Sequence, residues 1–164
     1  TLAWNQMVQN GNFVNTTNWY PTANISVSNN ELTYTSPSAS QDNGINTGAY
    51  MNLINGHKYL ALANIKMPSA NKINIQLATT DWSTNIIQRV DVSTTNKTAV
   101  NAMFAATSTV SAVRLMYFFF KNTAPSVGDV VKVSNVMLID LTQMFGSTIA
   151  DAIYAILADR KSVV

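Results

Sequence analysis

The sequence predicts an all-β domain, either two packed sheets or a closed barrel, that ends in one short helix. Three observations predict it. Apolar and polar residues alternate through most of the chain up to Ile139, the spacing of a strand with one buried face. Clusters of Asn, Ser, Gly and Pro interrupt that alternation often enough for about ten short strands. Helical spacing occurs only near the end, at Ile149, Ile153, Ile156 and Leu157. With 164 residues, 47% of them hydrophobic, the chain is one ordinary domain that can build a core without disulfides, and it has no cysteine.

The elements follow in order. Ile25-Ser26-Val27 and Leu32-Thr33-Tyr34-Thr35 flank Ser28-Asn29-Asn30-Glu31 and read as a hairpin. Met51 to Ile54 and Tyr59 to Met67 flank Asn55-Gly56, a pair that tolerates positive φ, and read as a second hairpin. Ile73, Ile75 and Leu77 alternate with Lys72, Asn74 and Gln76. Ile86 to Val92, Thr98 to Ala105, Val113 to Phe120 and Val130 to Ile139 complete the strands. Ser147 or Thr148 can cap the terminal helix, Asp151 suits its first turn, and Arg160 and Lys161 suit its other end. No Pro/Gly linker divides the chain. Residues 1–146 form the β domain, and 147–164 are a helix and tail that either belong to it or connect to a further domain. Thr1 is not a natural start, so the chain reads as a piece of a longer polypeptide.

Composition excludes several function classes. Ten Lys and Arg against eight Asp and Glu give a net charge of +2, too little for the basic stripe of a nucleic-acid binder. The longest apolar runs, Leu115 to Phe120 and Ala152 to Ala158, are far too short for membrane insertion. Asn, Thr and Ser make up about a third of the chain, taking the place that charges usually hold. Neutral amides and hydroxyls suit neutral sugars, whose hydroxyls need donors and acceptors.

Catalytic inventory is thin, and the chain reads as a non-enzyme. His57 is the single histidine and follows the Asn55-Gly56 turn, where a surface histidine is expected; Glu31 is the single glutamate. No nucleophile elbow, phosphate loop or paired-histidine metal motif occurs. Of the seven aspartates, Asp42, Asp81 and Asp129 lie in turns and Asp151 and Asp159 on the helix, a poor basis for paired-carboxylate hydrolysis. Oxygen donors for a structural Ca2+ are abundant but unspecific, so the expected cofactor is none or that one ion.

Aromatic residues are the stronger lead. Trp4, Trp19 and Trp82 all stand in polar surroundings. Trp19 reads as a plug, because Pro21 follows and the segment leads into a strand. Trp82 lies in a loop between two strands and is either packed or exposed, tryptophan being seldom fully buried. In Arg114-Leu115-Met116-Tyr117-Phe118-Phe119-Phe120-Lys121, one strand face carries Leu115, Tyr117 and Phe119. The other carries Arg114, Met116, Phe118 and Phe120, too apolar for a solvated face. Either the terminal helix covers it, the reading that the rarity of large exposed apolar patches favours, or it is a binding platform. As a platform its neighbours would include Asn64, Lys66, Asn74 and Gln76. Amides bracketing aromatic rings suit a sugar, whose hydroxyls need donors and acceptors while its C–H faces stack. The candidate saccharide-binding residues are therefore Trp82, Phe118, Arg114, Asn64, Gln76 and Met116.

Three motifs together resemble a known family. Trp4-Asn5-Gln6-Met7-Val8-Gln9-Asn10-Gly11-Asn12-Phe13, with Trp19 after it, resembles the opening of carbohydrate-binding modules in tail and baseplate proteins of phages infecting Gram-positive bacteria. Gly56-His57-Lys58-Tyr59 resembles the family's turn into a central strand. Asn135 to Gly146, with its Asp140-Leu141-Thr142 and Phe145-Gly146, resembles the closing strand and turn. The resemblance implies a jelly-roll β-sandwich of two antiparallel sheets, part of a virion tail or baseplate facing the host cell surface. Its implied partners are host cell-wall polysaccharide and other tail or baseplate proteins. It departs from the family after Gly146, where Ser147-Thr148-Ile149 stands for the usual Asn-Glu-Pro, and at Asn12, where many relatives are acidic and the region helps hold a structural calcium. Asp140 is expected to fix the turn into the helix.

Overall fold

The computed structural model describes residues 6–92 and 96–159; Trp4, Arg160 and Lys161 lie outside the described residues. Its strands are β1 (Trp19–Tyr20), β2 (Ile25–Ser28), β3 (Glu31–Thr35), β4 (Gly44–Thr47), β5 (Met51–Leu53), β6 (Lys58–Lys66), β7 (Asn71–Thr79), β8 (Asn85–Val92), β9 (Thr98–Ala105), β10 (Val110–Phe118) and β11 (Val130–Asp140), followed by helices α1 (Leu141–Phe145) and α2 (Ser147–Asp159). One sheet has the order β1-β4-β10-β7-β8, with β5 also pairing β10; the other has the order β2-β3-β11-β6-β9. Every strand pair is antiparallel. The chain is a jelly-roll β-sandwich, as the family resemblance implies; of the two architectures that the strand pattern leaves open, it takes the two-sheet one.

Alternation builds the interior. Ile73, Ile75 and Leu77 of β7 meet Val113, Leu115 and Tyr117 of β10 on one inner face, all without exposed surface. Leu32, Tyr34, Tyr59, Ala61, Ile65, Val131 and Val133 line the other. Trp19 is fully buried beside Phe13, ring centroids 5.1 Å apart, and its indole N–H donates to the Asn10 carbonyl at 3.1 Å. It is the plug that its polar neighbours and Pro21 suggest. Along one side the two sheets close on each other, where the Gln88 side-chain carbonyl of β8 accepts the Met103 N–H of β9. That inward-facing amide satisfies a strand edge that would otherwise be left without a partner.

The first hairpin forms as predicted, with Asn29 and Asn30 both at positive φ between β2 and β3. The second does not. Asn55-Gly56 makes a turn, His57 N–H donating to the Ile54 carbonyl at 3.1 Å, but β5 pairs with β10 in one sheet and β6 with β9 and β11 in the other. A tight turn reverses the chain without choosing its partner. Here the core decides, drawing Met51 and Leu53 inward from one sheet and Tyr59 and Ala61 from the other.

The helices pack against one half of the β2-β3-β11-β6-β9 sheet. Leu60, Leu62, Met103, Met137 and Ile139 point outward there and form a second cluster with Leu141, Ala150, Ile153, Tyr154 and Leu157. The packed stripe of α2 is rotated from the expected one: Ile149 and Ile156 are 51% and 57% exposed, while Ala150 is fully buried. Periodicity alone ranks residues by hydrophobicity, whereas the close approach of α2 to the sheet selects the small Ala150. The helix therefore covers β6 and β9 and not β10, contrary to the covering expected from the sequence. His57 also differs from the surface residue expected. It is partly buried, its Nδ1 2.7 Å from the buried Asp140 carboxylate, because α1 folds back over the Gly56 turn.

Candidate functional site

Inward-facing residues dictate what the β1-β4-β10-β7-β8 sheet shows outside. Trp19 points in, so Tyr20 points out; Ile45 and Thr47 leave Gly44 and Asn46 outside. In the same way β10 presents Arg114, Met116 and Phe118, β7 presents Asn74, Gln76 and Ala78, and β8 presents Asn85, Ile87 and Arg89. Register arranges them in rows across the strands. One row runs Tyr20, Asn46, Met116, Gln76, Ile87. The next runs Gly44, Phe118, Asn74, Arg89, and on the other side lie Arg114, Ala78 and Asn85. At about 4.8 Å between strands, the first row is about 19 Å long, room for several sugar rings.

The middle of this face is recessed. Asn74, Gln76 and Met116 are each 6% exposed although they point away from the core, while Tyr20 and Ile87 at the row's ends stand well out. Arg89 Nε donates to Asn74 Oδ1 at 3.0 Å, which orients that amide. The Gln76 amide has no partner among the described residues, leaving its donors and acceptor free for a ligand. Lys121 closes one end, its ammonium 5.6 Å from the Phe118 ring centroid and 2.5 Å from Asp42. At the other end an open pocket of about 430 Å³ is lined by Tyr20, Asn46, Thr47, Gly48, Ala49, Thr80 and Arg114.

The turn from β7 to β8 carries Trp82 at that end, 49% exposed and at φ 63°. The turn is tied internally. The Asp81 carboxylate accepts the Thr79 hydroxyl at 2.8 Å and the Ser83 N–H at 3.0 Å, and the Thr79 oxygen accepts the Thr84 N–H at 3.1 Å. The Ser83 N–H and the Thr79 hydroxyl hold the Asp81 carboxyl down at about 2, below its ordinary 3.8. A carboxylate depressed in the folded state stabilises above its unfolded pKa and loses that contribution as pH falls through the folded one. The stability difference between the protein and Asp81→Asn is therefore expected to be constant above about pH 4 and to vanish on approach to pH 2, as urea unfolding across that range would show.

The first loop does not fit a resident calcium ion. Asn10 Nδ2 itself occupies the centre of the oxygen donors there, at 2.7 Å from Asn15 O, 3.1 Å from Asn15 Oδ1 and 3.0 Å from Thr17 O. The Asn12 carbonyl accepts from the Asn30 amide at 3.2 Å, and no carboxylate joins this network among the described residues. A neutral amide thus does the bridging that a hard cation and its carboxylates would do. Nor do three His, Cys, Asp or Glu side chains converge elsewhere among the described residues.

No protein-family model and no curated protein sequence matches the chain. Solved structures do. A CBM4 carbohydrate-binding module superposes with a TM-score of 0.61 at 15% identity, covering 80% of this chain and 98% of that one. A family 61 carbohydrate-binding module in complex with β-1,4-galactotriose gives 0.58 at 10% identity, over 82% and 98%. The chain has the fold of carbohydrate-binding modules. An arabinose-bound GH51 α-L-arabinofuranosidase gives 0.63 at 16% identity over 82% of this chain, but the match spans only 26% of that enzyme's length.

On this fold the sequence candidates separate. Arg114, Met116, Phe118 and Gln76 share the outer face just described, and Trp82 stands at its rim. Asn64 does not join them. It lies on β6 opposite Ser134 and Ala99, on the outer face of the other sheet, because the alternating pattern of β6 suits either sheet and pairing with β9 and β11 decides between them. Sequence reasoning missed Tyr20, Asn46 and Arg89. Tyr20 was legible from Trp19, since a buried residue turns its strand neighbour outward. Asn46 was not, because β4 is short and stands among polar residues.

Proposed function

We propose that the chain is a non-catalytic carbohydrate-binding module whose ligand lies across the outer face of the β1-β4-β10-β7-β8 sheet. The row Tyr20, Asn46, Met116, Gln76, Ile87 carries this reading. It alternates flat or apolar groups with amides along a recessed line, matching the C–H faces and hydroxyls of a sugar chain. Unlike the apolar half of the opposite sheet, this face has no helix packed over it among the described residues.

The finer reading is host adhesion: a module of a phage tail or baseplate protein, on the virion surface, that binds host cell-wall saccharide for adsorption. Its support is the set of motifs around Asn10-Gly11-Asn12-Phe13, Gly56-His57-Lys58-Tyr59 and Asp140 to Gly146. A shallow site binds weakly, and many copies on one virion would raise avidity through effective concentration.

Binding of the labelled chain to purified Gram-positive wall polysaccharide tests both levels. Trp82→Ala is expected to weaken binding about tenfold with stability unchanged, the loss of one exposed stacking ring. Asn64→Ala, on the other sheet, should leave affinity as it is. Equal losses from the two variants would remove the site from this face. A second reading, a module that only packs between tail subunits, draws on the exposed Ile149 and Ile156 of α2. Under it the chain would bind tail protein and no saccharide at millimolar repeat units.

A further inference from the structure

Resting on the saccharide-binding reading, we propose that Arg114 forms an acidic-group subsite at the Trp82 end of the face, so that the preferred saccharide carries a carboxylate or phosphate. The composition favours neutral sugars; this one residue points elsewhere. Arg114 Nε is buried and has no hydrogen-bond partner, and the side chain makes no ion pair among the described residues. The other cations of this surface are engaged: Arg89 donates to Asn74, and Lys121 pairs with Asp42.

A buried donor without an acceptor destabilises the fold, the more so when charged, and a guanidinium cannot shed its proton to escape that cost. Nε itself is beyond a ligand's reach, so an oxyanion would meet the outer nitrogens of the guanidinium, where the charge is still unpaired among the described residues. The surroundings define the acceptor. The pocket that Arg114 lines contains Tyr20, Asn46, Thr47 and Thr80 but no carboxylate to neutralise the charge.

Arg114 is also held in place from behind. The adjacent Leu115 N–H donates to the buried Thr47 hydroxyl at 2.9 Å, and that hydroxyl donates on to Gly48 O at 3.0 Å. This fixes β10 against β4 where the guanidinium emerges. Tyr20, 48% exposed on the same pocket, offers a ring for the sugar that bears the charge. A planar fork of N–H donors beside an aromatic face and an amide fits a uronate or a sugar phosphate, since either oxyanion can accept two parallel N–H bonds.

The test compares one uronate polymer in its free-acid and methyl-ester forms, together with poly(glycerol phosphate) and a neutral glucan, all against the same chain. The acid or the phosphate polymer is expected to bind about tenfold tighter than the ester and the glucan, and the advantage should shrink at high salt. Whichever of the two acidic polymers leads identifies the source of the anion. Arg114→Gln should bring acid affinity down to the level of the ester, and Arg114→Lys, which keeps charge without the fork, should restore only part. The acid–ester comparison needs no variant, so a folding defect cannot obscure it. Binding of both acidic polymers no tighter than that of the ester and the glucan, or a preference that survives Arg114→Gln, overturns the proposal while leaving the module reading intact. Binding to none of the four polymers overturns both.

Discussion

Gly44→Ala is expected to lower the unfolding free energy by about 3 kcal/mol and to spoil the Phe118 end of the outer face. A Cβ at Gly44 would stand 1.9 Å from the Tyr117 carbonyl oxygen and 2.8 Å from its carbon, both backbone atoms that cannot rotate away. Tyr117 is pinned, since its fully buried ring packs in the core and its neighbours Met116 and Phe118 pair with Gln76 and Asn74. Relief therefore means moving β4 away from β10, which breaks the register that sets Gly44 beside Phe118 and Asn46 beside Met116. Gly56→Ala is the useful contrast. Nothing lies within 4 Å of a Cβ there, and only its φ of 82° resists, for a cost of about 1 kcal/mol. Urea denaturation of both variants measures the difference, and a Gly44→Ala change no larger than that of Gly56→Ala would sink the account of β4.

Asp140→Ala should be nearly as costly, about 2–4 kcal/mol. The Asp140 side chain is almost wholly buried and both oxygens are used. Oδ1 accepts the Gln143 N–H at 2.9 Å as the N-cap of α1, and Oδ2 meets His57 Nδ1 at 2.7 Å. Alanine would orphan both partners and loosen the helices from Leu60, Met137 and Ile139. An asparagine side chain keeps an acceptor for the cap, so Asp140→Asn is expected to recover about half the loss. Hydrogen exchange of the α1 and α2 amides gives the local readout. If those amides stay as protected in Asp140→Ala as in the parent, the carboxylate is not what holds the helices.

How much of this was legible beforehand depends on the element. Strands β7, β9 and β11 were readable because long alternating runs bury one face, and Trp19 as a plug because a tryptophan beside Pro21 leads into a strand. The Asp140 turn was readable from its motif. The partition of strands between sheets was not. Met51-Asn52-Leu53 and Tyr59 to Met67 have patterns that suit either sheet, and Asn55-Gly56 between them suits a hairpin as well as a crossover. The candidate face was half readable. Met116, Phe118 and Arg114 stood out because their strand is apolar on both faces, but Asn64 could not be told from Gln76 by pattern, and the two ended on opposite sides of the molecule.

By itself, the sequence determined the all-β architecture, the helix after Gly146 and the alternation that decides which side chains leave the core; the short α1 before it was not read. Those properties follow from the two-residue period of a strand and the turn chemistry of Asn, Gly and Pro, all local. Only the tertiary structure decided which sheet each strand joined, which sheet α2 covered, and hence which outward face stayed open. Those are choices among long-range pairings, settled by how Ala150 lets the helix approach β6 and β9 and by which inward side chains fill one core. The face that carries Tyr20, Gln76 and Arg114 stays open because the helix went to the other sheet.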